Sequence, residues 1–357
     1  MLVYLLFSIS PVLVEVVCGR PTYYDEDGCL QKRKKYYVIC GLIIFLVIAL
    51  RSQYLGSADS SHYYARWQRY SMMGLEQFLI DFSTSSLEKG YLLFTWFFSH
   101  ILPNPQFTFV TSGALFAFAV SRFIYHNSEE PTISYVMFIC LGLFVFMIQG
   151  MRQAFAMSIC LLSLEACKQR KFFVFLIYIL FATLFHQTAI CFFIVYFLYG
   201  GQFYSRKTFF TLLLCVVMVA LADRIISTAN SIFDREYSMM AAGNGFVAVA
   251  IYILIALIGF LTIIKCDFNN VDLTFYWKML VFAMILYLMR YFAAHAAQRI
   301  SFYFMFAQMI VLPGAMKIFD SRSQKLLKVA IIVLSSFLFI YRLRNEGFIP
   351  FYFFWQQ

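Results

Sequence analysis

Two polar interruptions, Gln149-Gly150-Met151-Arg152-Gln153 and Phe185-His186-Gln187-Thr188, break runs that are otherwise apolar. An ionisable group at membrane depth costs at least about 2.5 kcal/mol, so as a rule it faces a wet cavity and serves a function. Arginine presents a planar fork of N–H donors that matches phosphate or carboxylate, whereas lysine is a point charge. Histidine can take a proton near neutral pH or donate a hydrogen bond to a phosphate. Arg152 opens the run M-R-Q-A-F-A-M-S-I. A helix starting there would add positive partial charge and unpaired N–H groups to the guanidinium, which favours an anion. Ala154, Ala156 and Ser158 would let neighbouring helices come close. The competing readings are an arginine snorkelling to the interface and a histidine that merely bridges helices. The adjacent Gln153 and the helix start favour function for Arg152.

A second anion-seeking cluster follows from spacing. Tyr291, His295 and Arg299 recur at i, i+4 and i+8, with Arg290 and Gln298 beside them, so one helical face would carry them. The surrounding YFAAHAAQRISFYF is almost wholly apolar or small, which argues against a plain solvated turn. Asp59 and Glu88 could each act as a general base or orient an arginine. No DxD-type metal pair, Gly-rich phosphate loop or GxSxG elbow is present, and no metal site is expected.

These residues must be positioned by membrane helices. Hydrophobic residues make up 62% of the 357, charged ones 13%, and mean hydropathy is +0.76, so a soluble domain has no polar coat. At about 20 apolar residues per span, the length allows roughly a dozen helices and little else. Apolar runs predict about 12–13 helical segments, near 2–17, 36–50, 90–102, 107–125, 132–150, 153–167, 171–185, 188–200, 208–226, 246–264, 274–292, 300–316 and 326–341. The expectation is one all-α, polytopic membrane domain over 1–357, with no internal repeat. Met1 to Val17 lacks a basic n-region and reads as a first span. The nine cysteines show no CxxC or Cys/His metal spacing and read as free thiols.

The +10 net charge is scattered among short loops, which reports topology and not nucleic-acid binding. Lys32-Arg33-Lys34-Lys35, Lys168 to Lys171, Arg206-Lys207, Lys265 and Lys317 to Lys328 are expected on the cytoplasmic side. Alternation then works if 90–102 only half-inserts before the helix stop Pro103-Asn104-Pro105. The opposite face carries Arg51, Arg66, Arg69, Arg152, Arg224, Arg235, Arg290 and Arg299, arginines that the insertion rule does not explain. The polar segment 51–89 lies on that outer side, with an amphipathic helix running from Asp59 toward Phe82. Its Tyr63, Tyr64 and Trp67 are either interfacial anchors or surfaces for stacking on sugars.

The order of these features resembles the EpsG family of Wzy-type polysaccharide polymerases. The matching pieces are R-S-Q-Y-L-G-S-A-D-S-S-H-Y-Y (Arg51 to Tyr64), L-E-K-G-Y (Leu87 to Tyr91), M-R-Q-A-F-A (Met151 to Ala156), K-Q-R-K, L-F-H-Q-T-A-I around His186, and Q-R-I-S-F-Y-F (Gln298 to Phe304). Ser57-Ala58 precedes Asp59 where a glycine-proximal G-x-D is expected.

The resemblance implies a GT-C-like fold with an outward-facing cavity, in the cytoplasmic membrane of a bacterium. It implies glycosyl transfer between oligosaccharide repeat units carried on undecaprenyl pyrophosphate, yielding an O-antigen, capsule or exopolysaccharide without a cofactor. It also leaves room for a partner that regulates chain length. In this reading Arg152 and Arg299, with Arg51 and Arg290, stabilise pyrophosphate. Asp59, then His186, with Glu88, supply acid–base chemistry, and Tyr63, Gln153 and His295 bind substrate. A ligase or single-sugar transferase would use the same pyrophosphate logic. A flippase for lipid-linked sugars is the rival from another class, although matched broken repeats, common in transporters, are absent.

Overall fold

In the computed structural model, the described residues are all but 26, 28, 56–57, 207, 212, 214–216, 218–223, 225–245, 267–269, 290–294 and 357. The molecule is predominantly helical, as apolar runs demand when backbone groups must pair internally. It is not purely so: Thr22–Tyr24 (β1) and Leu30–Lys32 (β2) form a short antiparallel hairpin. Among the described residues, four helices are long and apolar enough to cross a membrane, or up to six if each of two bent pairs is one span.

Those bent pairs correct two of the predicted segments. The run 132–150 is two helices, α7 (Pro131–Cys140) and α8 (Leu143–Gln149), bent by 50°. The hinge is Gly142, whose φ of 97° strains any residue with a Cβ. The run 300–316 divides in the same way, bent by 49° between Ala297–Met305 and Gln308–Ile318. The run 188–200 begins as a 3-10 helix, Gln187–Ile194, before the short α11 (Val195–Leu198). Most of 208–226 lies outside the described residues.

The contacts separate into two compact units. The first comprises Met1–Leu164, Phe173–Ile190 and Val329–Gln357. Within it α2 (Lys34–Ala49) and α6 (Phe107–Asn127) pack antiparallel through small residues. A Cβ on Gly41 would meet Ser121 Oγ at 2.7 Å, and one on Gly113 would meet Ile48 at 3.1 Å. Here α1 (Leu2–Cys18) lies on α2 and α7, and the Tyr36 hydroxyl joins the three by bonding Pro11 O (3.2 Å) and Thr132 Oγ1 (3.0 Å). The C-terminal tail pairs with the end of α2, through Ser52 N to Tyr352 O (2.8 Å) and Phe354 N to Leu50 O (3.0 Å).

The expected amphipathic helix of segment 51–89 is two helices, α3 (Ala58–Ser71) and α4 (Leu75–Thr84), broken before Gly74. Ser60, Tyr63, Trp67 and Tyr70 fall on one face of α3 and are buried. Trp67 Nε1 donates to Leu102 O at 2.8 Å, at the end of α5 (Lys89–Ile101). Asp81 ties α4 to α3 by accepting from Tyr70 and from Arg69 (2.7 Å). Burial pushes the Asp81 carboxyl up, but these donors outweigh it and hold it below its ordinary value. At 13 residues α5 is about 20 Å long, shorter than a hydrocarbon core.

The second unit comprises Glu165–Phe172 and Cys191–Lys328. Its packing centres on Phe246–Cys266 (α12), Val271–Leu288 (α13) and Gln308–Ala315. Gly259 lets α12 approach, since a Cβ there would stand 2.5 Å from Val311. Trp277 Nε1 donates to Ala256 O at 2.9 Å, and Lys168 pairs with Asp272 at 2.5 Å. Lys278, missed in the hydropathy reading, is buried in α13 and donates to Gly200 O at 3.2 Å.

Candidate functional site

The first unit brings two of the predicted residues, Arg152 and His186, onto the carboxylate of a third, Glu88. Glu88 Oε2 accepts from Arg152 Nη1, and Glu88 Oε1 meets His186 Nδ1 at 3.0 Å. Glu88 is almost fully enclosed (2% exposed) and His186 nearly so (9%), while the Arg152 side chain keeps 22%. The guanidinium is therefore the accessible member of the cluster.

Local structure explains the meeting. Arg152 lies in the first turn of α9 (Met151–Lys168), whose hydrogen-bond ladder opens with Ala154 N to Gly150 O at 2.9 Å. The amides of Met151, Arg152 and Gln153 thus precede the ladder, at the positive end of the helix dipole. His186 sits where α10 (Phe172–Thr183) gives way to the 3-10 segment. Glu88 is the N-cap residue of α5, but its side chain does not cap that helix and turns to Arg152 and His186 instead. What brings α5 to the end of α10 is Gly90. A Cβ there would stand 2.5 Å from Leu184 Cβ and 2.8 Å from Leu184 O. Its absence lets Leu184 O accept from Tyr91 N at 3.2 Å, satisfying one of the donors at the start of α5.

Electrostatics follow from this geometry. Burial pushes the Glu88 carboxyl up, but the His186 hydrogen bond and the charge of Arg152 outweigh it and hold it down at about 2. A carboxyl so acidic is a poor general base and a good orienting anion. Because its ordinary value of 4.5 is depressed on folding, the stability from Glu88 is complete above about pH 4.5 and lost as pH falls toward about 2. In detergent melts across that window, the stability advantage of wild type over Glu88→Gln is expected to shrink steadily. An advantage independent of pH would show that Glu88 is not held as a buried anion.

Tyr63 is buried on α3, its ring edge-on to Tyr91 at 6.0 Å and close enough to Arg152 to act on it electrostatically. This corrects the stacking expectation. Tyr63 and Trp67 are packed inward, so neither offers a face to a sugar. Arg66, one turn along α3, lies close enough to Tyr91 to act on it electrostatically. Arg66 and Tyr91 did not stand out as site residues, although the i, i+3 spacing of Tyr63 and Arg66 carries the signal. Gln153 is buried beside Arg152.

Other predicted residues lie elsewhere. Arg51 is 1% exposed, its guanidinium on Phe109 at 4.0 Å. Its two Nη atoms donate to Ser60 Oγ (2.9 Å), Ile148 O (3.0 Å) and Leu55 O (3.4 Å), while Nε is buried without a hydrogen-bond partner. Enclosed and committed to protein acceptors, it holds the end of α2 to α3 and α8. Asp59 is exposed, because the buried phase of α3 begins one residue later at Ser60. In the second unit Arg299 is exposed on the helix His295–Met305. Arg290, Tyr291 and the side chain of His295 lie outside the described residues.

Fold and site together define a helical, multi-pass membrane protein with an arginine–carboxylate–histidine constellation. A model of the EpsG family matches residues 34–353, nearly the whole chain, and the chain belongs to that family. The EpsG family is associated with Wzy-type polymerases, so membership points to a polysaccharide polymerase. No curated protein and no solved structure matches the chain.

Proposed function

We propose that the protein joins oligosaccharide repeat units carried on undecaprenyl pyrophosphate, working without a cofactor on the outer face of a bacterial cytoplasmic membrane. The product would be a surface polysaccharide, made in a GT-C-like fold with an outward-opening cavity. The observation that carries this reading is the Arg152–Glu88–His186 cluster in a chain of the EpsG family.

The reaction requires an acceptor hydroxyl to attack C1 of the donor sugar while the C1–O bond to pyrophosphate breaks and its electron pair leaves with the phosphate. Arg152, with one nitrogen anchored on Glu88, offers the rest of its fork to the growing negative charge, with Arg66 as a further cation of the same unit. Fixed donors of this kind often make the largest catalytic contribution. If the Glu88-facing Nδ1 of His186 carries the proton, the basic lone pair is on Nε2, so His186 takes the acceptor's proton and Glu88 orients the ring. This arrangement favours His186 over Asp59 as base. Direct displacement inverts the anomeric centre.

Purified protein given a lipid-linked repeat unit should yield a ladder of products. A single added unit would assign a ligase or single transferase. Movement of the lipid across a vesicle membrane without any product would assign a flippase.

A further inference from the structure

In the first unit α2 and α6 also enclose a groove of about 600 Å³. Small residues floor it, Gly41, Ala117 and Ser121 among them, and Val38, Leu42, Phe45 and Phe118 flank it. Val38, Leu42 and Phe118 are each at least half exposed. A slot of this kind suits a hydrocarbon chain.

One end is not apolar. Lys34 in the first turn of α2 lines it together with Arg122 and His126 near the end of α6. Lys32 adds a fourth basic group nearby, donating to the carbonyls of Tyr125 and Ser128. Tyr37 lines the same end, is 4% exposed, and has a buried hydroxyl with no hydrogen-bond partner. Buried hydroxyls are nearly always paired, so an orphan on a residue lining the same groove as Lys34 and Arg122 marks a place for an acceptor. The N-terminus of α2, without a side-chain cap, adds positive partial charge there. Cations and a donor at the head of an apolar slot are complementary to a lipid with an anionic phosphate.

The position separates this groove from the Arg152 site. The two helices are antiparallel, and the far end of α2 leads to Arg51, which reaches Ile148 O and Met151 Sδ beside Arg152. The 16 residues of α2 span about 24 Å and the 21 of α6 about 32 Å, close to one hydrocarbon thickness. The basic end therefore faces the leaflet opposite Arg152. We infer that the groove binds an anionic glycerophospholipid of that leaflet, one acyl chain along α2 and α6 and its phosphate at Lys34, Arg122, His126 and Tyr37.

Native mass spectrometry of the full-length protein in detergent, with phosphatidylglycerol or phosphatidylcholine added, tests this. Wild type should retain phosphatidylglycerol preferentially. K34Q/R122Q should weaken its binding roughly thirty-fold, each charge being worth about fivefold near an anionic headgroup. Ala114 lines the groove at an exposed position, so Ala114→Phe should obstruct the chain and lower retention without altering the thermal melt. Equal retention of both lipids by wild type would overturn the proposal. So would unchanged phosphatidylglycerol binding in K34Q/R122Q, or displacement of phosphatidylglycerol by a tenfold lower concentration of a polyprenyl phosphate.

Discussion

Arg152→Ala is expected to cut polymer formation by at least about 100-fold, the loss seen when one fixed donor to a developing anion is removed. The same change should destabilise the protein by about 3–5 kcal/mol, because the enclosed Glu88 carboxylate loses its cation and keeps only the hydrogen bond to His186. Two further variants separate these effects. In Arg152→Met with Glu88→Leu the buried charge goes with its partner, so the melting temperature should return close to wild type while activity stays lost. Arg152→Lys keeps the charge and loses the planar fork, so stability should be largely retained and the product ladder should shorten sharply. Wild-type polymer length with lysine would end the argument for bidentate phosphate recognition. Full recovery of activity in the double variant would make the cluster a structural clasp and nothing more.

Gly90→Ala should be nearly as damaging to activity, although it removes no functional group. The added methyl would sit 2.5 Å from Leu184 Cβ and 2.8 Å from the Leu184 carbonyl. Neither is the end of a flexible side chain, so backbone must move. Overpacking of this kind costs about 1–3 kcal/mol. The larger consequence is geometric, since Glu88 is fixed two residues away and a shift of about 1 Å at a reacting group can cost 100-fold in rate. The variant should insert and melt cooperatively, a few degrees lower, with activity down on that scale. Leu184→Ala should not rescue it, because the Cβ and carbonyl remain. Gly74→Ala is the control. Nothing lies within 4 Å of a Cβ there, and neither stability nor activity should change. An active Gly90→Ala would show that the α5–α10 approach does not set the position of Glu88.

Composition alone determined the class of this protein. With so little charge, the chain has no means of coating a soluble core, and apolar runs in lipid must be helices. The polar interruptions at Arg152 and His186 were legible for the same reason, as groups that such surroundings would otherwise exclude. The amphipathic character of segment 51–89 was legible too, but which face turns inward was not: Ser60, Tyr63, Trp67 and Tyr70 are buried in helical phase and leave Asp59 outside. Hydropathy could not reveal the bends at 141–142 and 306–307, because both arms of each are apolar and only backbone geometry distinguishes them.

Which carboxylate serves Arg152 was decided only by tertiary structure. Asp59 and Glu88 are equivalent candidates by type, and Glu88 lies 64 residues from Arg152 and 98 from His186. Spacing reports which side chains share a face of one helix. It carries no information about which helix ends meet, and here that meeting depends on a glycine thin enough to seat against Leu184. Arg51 shows the converse. By type it was as good a phosphate ligand as Arg152, yet packing surrounds it with carbonyls of its own chain, and those acceptors decide what a guanidinium can hold.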